Sequence, residues 1–161
     1  MVLIQLVHLT QVALAGYGAL HSYGAITNLR TYEPTAEKAA RYSNEAGRQL
    51  HGTRTTQGAG ALALAASLGA ALHLLLYGSA FRCGLLAVVV AVAVAAARAH
   101  VRGFWGPPKG DDGRTAGKRV PLPKMGLHNV AQGHTEKILK VLDWMTYSWV
   151  VAAVVGIFRG Y

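Results

Sequence analysis

Cysteine is almost missing. Cys83 is the only one, so no disulfide framework holds this chain together. Charge is scarce as well. Asp, Glu, Lys and Arg make up 14% of the 161 residues, against roughly 25% in an ordinary soluble domain. Acidic residues are the scarcer sign, 7 against 16 basic ones. No CxxC, HExxH, phosphate-loop or GxSxG motif occurs, and no internal repeat is visible. What fills the chain instead is apolar residues, 52% of the total, gathered into long runs. That content excludes a disordered chain. The runs argue against an ordinary soluble domain, and the length leaves room for one domain, not two large ones.

The runs read as membrane spans. No Lys, Arg, Asp or Glu precedes Arg30, and a helix needs about 20 mostly apolar residues to cross the hydrocarbon core. Ala13-Leu14-Ala15 resembles a signal cleavage site, but no basic segment precedes it. The run therefore reads as a signal-anchor-like first span. A second uncharged run covers Thr55 to Phe81, a third Cys83 to Ala97 and a fourth Trp144 to Phe158. The third borrows Ala99 to Val101, with Arg98 snorkelling to the interface. The fourth borrows residues back to about Ile138. The expectation is an all-α, integral membrane four-helix bundle occupying 1–161. Its spans lie at about 3–29, 55–78, 83–101 and 140–158, with two long loops on one side.

Basic residues set the threading. All Lys and Arg except Arg82 and Arg159 fall in the first connection (Arg30 to Arg54), the third (Arg102 to Lys137) or their edges. Four spans put those two connections on one side. Both termini are then expected outside, with the long loops in the cytosol, or in the matrix if the membrane is the mitochondrial inner one. The membrane is otherwise expected to be an endomembrane. The net charge of +9 fits this topology and attraction to anionic lipid. No nucleic-acid-binding module is present, so nucleic acid is not an expected partner.

Within the first connection, Pro34 and Thr35 read as a helix start, with Glu37 favoured in its first turn. Glu37, Arg41 and Glu45 share a face at i, i+4, i+8 and are expected to pair. The third connection, with Gly106-Pro107-Pro108 and Val120-Pro121-Leu122-Pro123, resists regular structure. For packing, lipid offers no hydrophobic drive between helices, so small-residue faces matter. Ala61, Ala65 and Gly69 form one such face, and Ala87, Ala91 and Ala95 another. Gly16, Gly18 and Gly24 permit close approach on the first span. These faces serve either the hairpin itself or another subunit.

Polar residues at membrane depth are the functional candidates. His8 and His73 fall at similar depth and are candidate haem ligands; the plainer reading gives each a local hydrogen bond. No other cofactor is indicated, and Asp111-Asp112 has no further ligands for a metal. His51, His128 and His134 read as too dispersed to act as ligands. At the basic end, His21, Asn28, Arg54, Gln57, Arg98, His100, Asp143, Trp144 and Tyr147 fall at one level. His21, Arg98 and Asp143 are the candidate catalytic residues there, because His and Asp move protons and Arg holds an anion. The plainer reading is a register-fixing pair of Asp143 with Arg98 or Arg54.

The stretch from the short Tyr77–Arg82 turn through the long third connection to Ile138-Leu139-Lys140-Val141-Leu142-Asp143-Trp144 resembles the anthrone-oxygenase-like family of small four-span membrane proteins. That resemblance implies a cofactor-independent oxygenase acting on polycyclic aromatics. Arg41, Asn44 and Glu45 are similar to the Arg/Asn/Glu motif of the membrane-associated glutathione and eicosanoid enzymes, also four-span and basic. The residues themselves, lacking a recognisable catalytic set, point first to an accessory or structural component of a membrane assembly. A lipophilic-substrate enzyme is the alternative.

Overall fold

The computed structural model describes residues 2–77, 80–106 and 126–159. It is an all-α four-helix bundle of α1 (Val2–Ala40), α2 (Asn44–Tyr77), α3 (Ala80–Trp105) and α4 (Gly126–Arg159). α1 packs on α2 and α4, and α3 packs on α4 and α2; α1 and α3 lie on a diagonal and do not touch. Sequential helices thus alternate in direction around a closed ring. Each helix is long and apolar enough to cross a membrane. Gly78 and Ser79, and the Lys109 to Arg119 stretch with Asp111 and Asp112, lie outside the described residues, as do the Arg82, Cys83 and His128 side chains.

Large apolar side chains such as Leu64, Leu142, Met145 and Trp149 fill the core, but alanines share it and many large apolar residues face outward. Ala15, Ala25, Ala63, Ala71, Ala87, Ala131 and Ala152 are buried, while Leu3, Leu20, Leu62, Leu76, Leu85, Val92 and Phe158 face outward; Leu20 is 73% exposed. Small side chains turned inward let backbones approach, and large apolar ones turned outward suit hydrocarbon. α3 and α4 meet backbone to backbone at one point. A Cβ on Gly84 would lie 3.3 Å from the Gly156 backbone, so even a methyl group there asks the helices to give by a few tenths of an ångström, and a larger side chain asks more.

Two sequence expectations are corrected here. The first connection is not a loop with a new helix at Pro34. α1 runs through Pro34 to Ala40, and α2 begins at Asn44. An interior proline removes one backbone bond, but a helix already nucleated extends at low cost. The extension is also tied across to α2. Arg54 donates through Nε to Glu33 and through Nη2 to Glu37, both at 2.6 Å. These bonds, from Glu37 first and then Glu33, hold the guanidinium above its ordinary pKa. The expected Glu37–Arg41–Glu45 ladder does not form, because the chain turns at 41–43. Ser43 caps α2 there, its Oγ accepting from the Ala46 N–H at 3.4 Å, and Glu45 pairs with Arg48 instead.

The second correction concerns α2. Ala65 and Gly69 of the expected packing face point outward, and nothing lies within 4 Å of a Cβ built on Gly69. The inward face is Gln57, Gly60, Leu64, Ser67, Ala71 and Leu74. Polar groups decide this: turning Gln57 and Ser67 inward spares them contact with lipid. On α3, Ala87 and Ala91 are buried as expected.

Replacing Gly84 by Leu is expected to lower stability by about 1–3 kcal/mol through overpacking, while Gly69→Leu leaves intramolecular stability within about 0.5 kcal/mol. Denaturation of both variants in detergent, followed by circular dichroism, checks the contrast.

Candidate functional site

Three polar groupings occupy the bundle interior, one above another along α4. Farthest from the 41–43 turn, Trp149 is fully buried and donates its indole N–H to Ser67 Oγ of α2. His8 packs its ring against Trp149, centroids 5.9 Å apart, and bonds Gln11 through Nδ1 at 2.8 Å. His73 lies exposed on α2 beside Tyr77. The two haem candidates therefore turn to different neighbours.

In the middle, Arg98 of α3 donates through Nε to Asp143 of α4. Their side chains are 29% and 28% exposed. The ion pair cross-links α3 and α4. Trp144 and Tyr147, next to it in sequence, are exposed, 66% and 64%. Arg54 takes no part, being committed to Glu33 and Glu37.

Nearest the turn, the contacts draw on all four helices. Gln57 Nε2 donates to Thr135 Oγ1 at 2.9 Å, and that hydroxyl donates to the Ala131 carbonyl at 2.8 Å. Trp105 Nε1 donates to Thr56 Oγ1 at 2.8 Å, and Thr56 donates to the Gly52 carbonyl at 2.7 Å. Beside them, His21 of α1 meets His134 of α4, with their Nδ1 atoms 2.9 Å apart. His134 lies on Gly24, where a Cβ would come 3.0 Å from its Cε1. His21 in turn has Tyr17 edge-on, centroids 4.5 Å apart.

The structure thus brings Arg98 and Asp143 together and gives His21 a different partner. His134 and Asp143 are nine residues apart on α4, about 13 Å along the axis. His100 is exposed and Asn28 half-buried. Arg41, Asn44 and Glu45 sit at the exposed tip of the α1–α2 hairpin. Among the described residues no group of three or more His, Cys, Asp or Glu is placed to hold a metal.

His134 is hidden in the sequence because the charges up to Lys137 resemble those of a connection. With α4 starting at Gly126, His134 and Thr135 are helical and face the core. The available signal was the polar stretch Gln132, His134, Thr135 opposite Gly24 and His21.

Asp143→Asn, which leaves Arg98 charged and unpaired, is expected to cost about 1–3 kcal/mol, below the range for a fully buried pair because both side chains reach solvent or headgroups. The double change Arg98→Met with Asp143→Leu is expected to recover most of that loss in the same detergent denaturation. No family model, curated protein or solved structure matches the chain.

Proposed function

We propose that this four-span chain is an accessory or structural component of a membrane assembly, gripped by a helix of another membrane subunit. The outward face of α2 carries the reading. Ala65, Ala66 and Gly69 are exposed there, a patch of small residues between the outward-facing Leu62 and Leu72. Small residues are what let a second helix approach closely in lipid. One turn on, His73 is exposed on the same face, and an ionisable group facing hydrocarbon is costly unless covered. The threading proposed with it puts both termini outside and the 41–43 turn and the third connection in the cytosol or matrix; the distribution of Lys and Arg supports it.

A second reading, an oxygenase-type enzyme acting on a lipophilic substrate, draws on the Arg98–Asp143 pair. It is a polar group more than a quarter exposed, beside the outward-facing Trp144 and Tyr147. A substrate dissolved in the bilayer would reach it from the side. His21, in this reading, would serve from the neighbouring level.

Purified in mild detergent, the protein is expected to run larger than one chain in its micelle. Ala65→Leu with Gly69→Leu is expected to return it to a single chain with unchanged helix content. A monomeric wild type that turns over a lipophilic substrate would defeat the accessory role and favour the second reading. Tags on the two ends are expected to report one and the same compartment.

A further inference from the structure

His21 and His134 are 113 residues apart in sequence, yet their Nδ1 atoms are 2.9 Å from each other. The ring centroids are 5.1 Å apart. Centroid and nitrogen separations differ by nearly twice a ring radius, so the nitrogens lie between the rings and point at one another. A zinc ion bound to both would sit about 2.0–2.1 Å from each nitrogen, which at its tetrahedral angle requires a gap of about 3.3 Å, with the two nitrogens aimed at the ion and not at each other. The gap here suits a hydrogen atom. Both rings are also seated: His134 against Gly24, where no side chain intervenes, and His21 against the edge of Tyr17.

A neutral imidazole carries one N–H and one lone pair. In the neutral pair, one Nδ1–H donates to the other Nδ1. The donor ring keeps a lone pair at Nε2, and the acceptor ring carries its N–H at Nε2. His21 Nε2 is buried and has no hydrogen-bond partner. Buried acceptors go unbonded more readily than buried N–H groups, which fits His21 as the donor ring.

We propose that His21 and His134 form a proton-binding site that latches α1 to α4. The first proton taken up adds to the free Nε2 lone pair of the donor ring, at the cost of a buried N–H that has no acceptor among the described residues. The Nδ1–H···Nδ1 bond survives and becomes charge-assisted, roughly twice as strong as its neutral form. A second proton has only the acceptor Nδ1 left to bind. It replaces the hydrogen bond with two N–H groups face to face, and the latch opens. On α4, Lys137 lies three residues beyond His134. Tyr17 is the titratable neighbour on α1, α2 brings the neutral amide of Gln57 to the adjacent Thr135, and α3 does not touch α1. Among the described residues no carboxylate is hydrogen-bonded to either ring.

Nitrogen NMR of the full chain in micelles, labelled at histidine, tests this. A through-bond coupling between the two Nδ1 atoms is expected at neutral pH. It should persist through a first protonation step shared by both rings and vanish at a separate second step. Amide exchange over residues 18–25 should rise at least tenfold only past that second step. His134→Gln should abolish the coupling and leave His21 with a single step. Absence of the coupling in the wild type at every pH would overturn the proposal without recourse to any variant. So would two rings that titrate singly and ignore each other's replacement.

Discussion

Hydrocarbon removes the force that assembles most proteins. A leucine gains nothing by leaving lipid for another leucine, so the helices of this bundle are held by close backbone approach and by the few polar groups that lipid cannot satisfy. Gly84 against Gly156, and the alanines along α1, α3 and α4, supply the first. Trp149 to Ser67, Arg98 to Asp143, Gln57 to Thr135 and His21 to His134 supply the second. Each of these polar contacts joins two different helices, and together they span every adjacent α4 contact plus the α2–α4 diagonal. α4 is the helix around which the polar interior is organised.

That organisation explains why composition revealed the architecture and not the site. Four uncharged runs suffice to read four helices, because a spanning segment must be apolar along its length. The face each helix turns inward is a finer matter. Ala61, Ala65 and Gly69 satisfied the spacing for close packing, but Gln57 and Ser67 on the other side of α2 had the stronger claim on the interior. On α3, where no polar residue competes at mid-span, Ala87 and Ala91 face inward as their spacing suggests.

The interior pairs were legible in proportion to how well the helix ends could be placed. Arg98 and Asp143 both lie inside or beside apolar runs, and their pairing was open to inference. His134 lies beyond the apolar run, in a stretch whose charges made it look like a connection. Apolar content marks where lipid is, whereas helices continue wherever caps and cross-links permit. Arg54, reaching Glu33 and Glu37 on either side of Pro34, is such a cross-link, and its partners stand 21 and 17 residues away.

The same cross-link gives the first connection a mechanical character. α1 has 39 residues and α2 has 34, so they extend about 58 Å and 51 Å at the usual helical rise, well past a hydrocarbon layer of about 30 Å. With α1 unbroken from Val2 to Ala40, the overhang and the membrane-embedded part form one rod. A small tilt of that rod within the bilayer swings Tyr42 through a proportionately wider arc, so the hairpin behaves as a pointer whose position reports on the inclination of the helices below it.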